Sequence, residues 1–321
     1  KAALIQLKKE GMKKLILDLR NNPGGLLTQA IDICNFFLAK ETPIVSTKGK
    51  LQEWNANYKA LNSSWDTSIP IVVLINQNSA SAAEIVAGVL QDYDRATIVG
   101  QRSFGKGLVQ VTRDLPYRAK IKITTAKYYI PSGRCIQAID YSEKKDTTKR
   151  EYKTRNGRKV NAGGGIEPDV LVGRPQANSL TQQLLKEKVF FQYARLFKIK
   201  HASITAAANF HLTEAEFEEF VQWVKASAFQ YESPLEKQMR DVLKETQKDP
   251  LYANLTATLE KAKPEWDSSV AKELIANKKV ISALLEQEIV HHYYLKKGIN
   301  EWSFEHDPSL LKGVELISAL K

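Results

Sequence analysis

The chain has 321 residues, 43% of them hydrophobic and 26% charged, with a formal net charge of +11. That length is enough for two domains with sizeable cores, and no apolar run approaches the roughly 20 residues that span a bilayer. The charge excess sits wholly in residues 1–172, with 27 basic against 16 acidic side chains; residues 173–321 balance at 20 and 20.

The first nine residues read as the last turns of an amphipathic helix stopped at Gly11, with no initiator Met, leader or cleavage site. The expectation is a chain that begins inside a domain. Met12 to Leu19 reads as a buried strand ending in the turn Asn21-Asn22-Pro23-Gly24-Gly25. Leu27 to Leu38 then carries Leu27, Ala30, Ile31, Cys34, Phe37 and Leu38 at helical spacing. Pro70 to Asn76 is a second buried strand and runs into a helix over Ala82 to Tyr93. Thr97 to Gly100 makes a third strand. Gly107 to Leu115 and Ala119 to Ile130 read as an antiparallel ribbon around Leu115-Pro116. This alternation predicts a layered α/β domain.

The stretch from Asp140 to Lys159 holds most of the clustered basic residues. They lie among acids and lack the interleaved aromatics on which bases stack. The reading is a solvated loop without a nucleic-acid partner, with a hairpin turn at Arg155-Asn156-Gly157-Arg158. From Leu180 the pattern is helical, with breaks expected near Pro234, Pro250, Pro264 and Pro308. Apolar positions such as Leu184, Val189 and Phe190 require burial there. A boundary near Gly173-Arg174-Pro175 separates a core over 1–173 from an all-helical domain over 174–321.

Two glycine- and alanine-rich runs carry the chemistry: Asn78-Ser79-Ala80-Ser81-Ala82-Ala83-Glu84 and Phe104-Gly105-Lys106-Gly107. A serine hydroxyl is a weak nucleophile until a base takes its proton. A lysine serves as that base only where its surroundings strip its charge, which burial does. Ser81 follows a buried strand and opens a helix, where terminal N–H groups stabilise developing negative charge. The plainer reading makes Ser81 a helix cap, since Ser81-Ala82-Ala83-Glu84 fits a capping box. Lys106 is flanked by glycines that allow a close-packed bend, an unusual setting for a solubilising lysine. Gln110 lies about 13 Å further along a straight strand, so it reaches the amine only if Gly107 turns the chain. The Gly24-Gly25 turn frees backbone N–H groups to face an anion, or is an ordinary tight turn. Adjacent His291 and His292 diverge by about 100° on a helix, and no Cys/His cluster has zinc spacing. No metal or cofactor is expected. Cys34 and Cys135 are either buried thiols or one disulfide.

Taken together, Asp18 to Gly25, Ser79 to Ala82, Phe104 to Gly107 with Gln110, and Gly164-Gly165-Ile166-Glu167-Pro168-Asp169 resemble the C-terminal processing peptidases, also called tail-specific proteases. The resemblance covers residues 1 to about 172. The helical remainder, with Ile289-Val290-His291-His292-Tyr293-Tyr294, is similar to the extension of Bacteroides-like members. It implies a crotonase/ClpP-like layered α/β core followed by the helical domain, with Ser81 as nucleophile, Lys106 as general base and Gln110 orienting the lysine. It also implies an oxyanion hole from the N–H of Ala82 and that of Gly24 or Gly25. Protein or peptide substrates, cleavage near their C-termini and a periplasmic or cell-envelope location follow from the same resemblance. The PDZ module that usually precedes such a core is not visible here. A rival reading keeps the fold but makes it a docking scaffold, and another gives it crotonase-like thioester chemistry. The helical domain suits packing on the core, a substrate cradle or a homo-oligomer contact.

Overall fold

A computed structural model describes residues 1–139, 151–173, 178–266 and 270–320. Residues 140–150 of the basic stretch, and Arg174 and Pro175 of the expected boundary, lie outside the described residues. The chain divides into two compact units, one of Lys1–Gly173 with Pro308–Lys321 and one of Arg174–Asp307.

In the first unit, α1 (Ala2–Lys9) is followed by Gly11 in the left-handed region. A four-stranded parallel sheet forms next, built from β1 (Leu15–Asp18), β4 (Ile71–Ile75), β5 (Thr97–Gly100) and β10 (Val170–Leu171) in the order β1-β4-β5-β10. Its connections include α2 (Leu27–Phe37) and α3 (Ala82–Asp92). A second, antiparallel sheet has the order β3-β2-β7-β6, from β2 (Pro43–Gly49), β3 (Ala56–Lys59), β6 (Leu108–Asp114) and β7 (Lys120–Tyr129). The ribbon β6–β7 is the one expected around Leu115-Pro116. A short hairpin, β8 (Glu151–Lys153) with β9 (Lys159–Asn161), flanks Gly157 at positive φ, where the sequence placed a turn.

The continuous apolar run of β4 has a direct cause: both faces of the strand are covered. Ile71, Val73 and Ile75 join a core with Ile31, Phe37, Ile85, Val89 and residues of the second sheet such as Ile44 and Tyr128. Val72 and Leu74, on the other face, pack with Leu310 and Ile317 of the last helix, which spans Pro308–Ala319. The expected helical domain over 174–321 includes that helix, whose apolar stripe, with Leu310, Gly313 and Ile317 buried, covers the parallel sheet and so groups it with the first unit. Lys14 fastens its end by donating to the carbonyls of Ile317 (2.9 Å), Ser318 (3.2 Å) and Leu320 (2.5 Å), a favourable place for a cation. Elsewhere in the unit Arg134 and Asp92 form a fully buried ion pair at 2.8 Å. Neither cysteine is in a disulfide. Cys34 is buried and its thiol is pushed up by burial.

The second unit contains α4 (Ser179–Lys186), α5 (Val189–Lys200), α6 (Glu214–Ala226), α7 (Pro234–Thr246), α8 (Ala253–Trp266), α9 (Val270–Ala276) and α10 (Lys278–His306). The helix on the parallel sheet is thus α11 in chain order. The N-termini are capped by Asn178, Thr213 and Ser233, each accepting from a backbone N–H of the first turn. Leu184, Val189 and Phe190 are buried among Phe197, Phe220, Leu274, Leu285 and Ile289. Helix α8 ends at Trp266, two residues beyond Pro264, near the break expected there. Helix α10 is interrupted at Leu295 (φ 54°, ψ −153°), where no Pro or Gly marks the place. Beyond this break Gly298 packs against Tyr294 and Val290 so closely that a side chain would collide.

Candidate active site

The carboxyl ends of parallel strands are where open α/β sheets place their ligands, and both glycine turns and the serine turn lie there. Ser81, at the N-cap of α3, has φ 56° and ψ −117°, a conformation that costs a non-glycine residue energy and persists only when its surroundings enforce it. The enforcement is visible. The Ser79 hydroxyl donates to the Leu19 carbonyl (2.7 Å), the Ala80 N–H donates to the Asn22 carbonyl (2.9 Å), and the Asn21 N–H donates to Asn76 Oδ1 (3.0 Å). Asn76 and Asn78 both donate to Asn21 Oδ1. The runs 18–25 and 76–81 are therefore bonded into one ledge.

Glycine 24 sits against the serine turn. A Cβ on it would lie 2.6 Å from the Ala80 carbonyl, 2.8 Å from the Ala82 nitrogen and 2.9 Å from Ser81 Cβ, at a φ of +97°. Its own N–H donates to Asn22 Oδ1 (2.9 Å). Gly25 has open space around it.

Lys106 is brought to the serine through the backbone. The buried Glu84 carboxylate accepts four hydrogen bonds. Oε2 takes the N–H of Ser81 (2.8 Å) and of Lys106 (2.9 Å), and Oε1 takes the N–H of Gly105 (2.7 Å) and the hydroxyl of Ser103 (2.5 Å). Burial pushes this carboxyl above its ordinary range, and the four donors pull against that. The Tyr128 hydroxyl adds a second tie, within reach of the carbonyls of both Lys106 and Ser81. The Phe104-Gly105-Lys106-Gly107 loop is further held by the Ala138 N–H on the Gly105 carbonyl (2.8 Å) and by the Gly107 N–H on Gln137 Oε1 (2.7 Å). The run Gly164 to Asp169 acts as a clasp. Ser103 and Ile166 exchange bonds, Arg102 pairs with Glu167 at 2.8 Å, and Asp169 accepts from the Ile98 N–H.

Ser81, Ala82, Gly24, Gly25 and Lys106 thus gather on one edge of the sheet. Gln110 does not join them: it lies exposed on β6, its amide donating to Thr124 Oγ1 (3.5 Å) across the ribbon. In this conformation no hydrogen bond links Ser81 Oγ with Lys106 Nζ, and among the described residues no carboxylate pairs with Lys106. The sequence reading gave Glu84 only a capping role and passed over Tyr128 and Ser103. Glu84 was findable, as an acid in an otherwise apolar helix start; the other two carried no signal.

These features define a mixed α/β unit with a serine turn and a lysine loop clasped together at its sheet edge, followed by a helical unit. Its first 144 residues match the model of peptidase family S41, and residues 180–317 match the model of a probable PDZ-protease C-terminal helical domain. Over 164 residues the chain is 49% identical to the carboxy-terminal-processing protease of Bartonella bacilliformis, a match covering 51% of this chain and 32% of that protein. Over 139 residues it is 48% identical to the carboxyl-terminal-processing protease of Synechocystis sp., covering 43% and 31%. Among solved structures it is similar to a photosystem II D1 C-terminal processing protease, with 31% identity and a TM-score of 0.42, covering 53% of this chain and 37% of that one. The matched stretch spans about a third of the length of these curated relatives.

Proposed function

We propose that this chain carries the catalytic region of a C-terminal processing serine endopeptidase, with Ser81 as nucleophile and Lys106 as general base. The observation that carries the reading is the shared acceptor: one oxygen of Glu84 holds the backbone N–H of both residues. A purely capping glutamate has no use for the second bond.

In the proposed cycle the lysine stem turns so that its free amine meets the serine hydroxyl. The amine takes the hydroxyl proton as Oγ attacks the peptide carbonyl. The resulting oxyanion rests on the N–H of Ala82, at the first position of α3, and on that of Gly25. Gly24 is the less suitable donor, because its N–H is already given to Asn22. The ammonium then passes its proton to the departing amine as the C–N bond breaks. Water adds to the acyl-enzyme, yields a proton to the amine, and the ester bond to Oγ breaks with that proton returned. Gln110 takes part only if the ribbon β6–β7 shifts toward Lys106. The chain is tested by replacing Ser81→Ala and Lys106→Ala separately in the full-length protein. Each is expected to lower kcat/KM for an unfolded substrate at least about 1,000-fold with an unchanged Tm. Substantial turnover by either variant removes the dyad and leaves the docking-scaffold reading.

A groove of about 890 Å³ begins at Leu108, two residues from Lys106. Leu51, Trp54, Val111 and Ile123 give it apolar walls, and Lys48, Lys50, Arg113 and Lys127 outnumber its one acid, Glu53. This composition suits an apolar peptide tail ending in a carboxylate. Amidating the C-terminus of a peptide substrate is expected to raise KM several-fold, since an exposed ion pair contributes up to about 1 kcal/mol; indifference to amidation removes the groove from tail recognition. The periplasmic or envelope location is part of the same proposal, and cell fractionation decides it.

A further inference from the structure

The geometry points to a divalent-cation site in the helical unit, formed by His211, Glu286 and His306 and suited in its donors to zinc. The three residues lie far apart in sequence. His211 is in the connection before α6, and Glu286 and His306 lie on either side of the break at Leu295 in α10. On an unbroken helix, residues 20 apart would be separated by about 30 Å. Here His306 Nε2 and Glu286 Oε2 are 3.7 Å apart.

The remaining polar atoms of the group settle what each ligand atom can offer. His306 Nδ1 lies 2.9 Å from the Trp302 carbonyl. A carbonyl only accepts, so Nδ1 carries the proton and Nε2 presents a lone pair to the cluster. Stacking on Trp302, with ring centroids 4.0 Å apart and planes 6° from parallel, holds the ring in that orientation. Glu286 Oε1 accepts the Leu212 N–H at 3.0 Å, which aims Oε2 at both imidazoles. His211 Nδ1 completes the triangle, 3.4 Å from His306 Nε2 and 4.0 Å from Glu286 Oε2.

A lone pair and a carboxylate oxygen thus converge, largely buried, with a second imidazole facing them. That arrangement fits a cation at its centre. The point equidistant from the three atoms is about 2.2 Å from each, beside the roughly 2.0–2.2 Å of zinc bonds to His nitrogen and carboxylate oxygen. His306 already has the partner on its other nitrogen that metal-binding histidines require. His211 is exposed, leaving an entry path and room for a water as fourth ligand. Two histidines and a carboxylate with an open fourth position form a donor set that zinc takes in catalytic sites. Bound there, the ion would pin the connection before α6 to both arms of α10.

The test is calorimetric titration of chelator-treated full-length protein with zinc chloride, beside the variants His211→Ala and His306→Gln. The wild type is expected to bind one zinc per chain at this site, with both variants at least 10-fold weaker. Zinc is expected to raise Tm only in the wild type. The exposed His211→Ala variant keeps the experiment decisive should His306→Gln fold poorly. Zinc binding by His211→Ala at wild-type affinity, or no stoichiometric binding by the wild type, overturns the assignment.

Discussion

Replacing Glu84 with Gln is expected to lower kcat/KM about 100-fold and to destabilise the protein by about 2–4 kcal/mol. Each carboxylate oxygen accepts two donors: Ser103 and Gly105 on one, Ser81 and Lys106 on the other. Whichever oxygen becomes an amide NH2 meets two groups that can only donate to it, or a hydroxyl and an N–H. One bond is lost on the Ser103 side, where the hydroxyl can accept, or two on the other, and the opposed N–H dipoles push the loops apart. The serine turn and the lysine loop then separate, and catalysis falls through misplacement of groups that remain chemically intact. A residue that merely caps α3 would behave otherwise, costing about 1 kcal/mol with kcat unchanged. Thermal unfolding and steady-state kinetics on the same preparation separate the two roles.

Adding one methyl group at Gly24 is expected to cost at least about 100-fold in kcat/KM, the scale of losing an oxyanion donor, while the same change at Gly25 is tolerated. The Gly24 Cβ has no room: Ala80 O, Ala82 N and Ser81 Cβ all lie within 2.9 Å, and its φ of +97° is strained for any side chain. Relief requires moving the ledge that carries Ser81 and the Ala82 N–H. At Gly25 the methyl group meets nothing within 4 Å and the N–H remains available. Comparing Gly24→Ala with Gly25→Ala by kcat/KM and Tm checks this. Equal activities would detach the 18–25 turn from the reaction.

Much of this architecture was legible in the residues. The apolar run of β4, the helical spacing after Leu27 and the glycines around Lys106 each fix a local conformation, and local physics is what a single sequence states best. The strands β2 and β3 were missed because Ser46, Thr47, Lys48, Asn57 and Lys59 interrupt their apolar pattern. The packing of the last helix on the parallel sheet was not legible, because Leu310, Gly313 and Ile317 announce a buried stripe without naming what buries it. Within the site, Ser81 and Lys106 stood out by their settings. Their connection through Glu84 and Tyr128 spans 22 to 47 residues, and no periodicity encodes such a contact. Gln110 shows the converse. Its place in the motif suggested a role beside the lysine, yet the ribbon register pairs it with Thr124. His211, Glu286 and His306 had no metal-binding spacing, because a chain reversal at an ordinary leucine creates their proximity.

The most direct measurement is covalent trapping on the full-length protein: acid-quench its reaction with a peptide ester, weigh the intact protein, and map the adduct by peptide mass spectrometry. A Ser81 nucleophile served by Lys106 predicts one acyl group on Ser81, absent from Ser81→Ala and formed at least about 1,000-fold more slowly in Lys106→Ala. An adduct on another residue, or undiminished turnover by Ser81→Ala, would contradict the account.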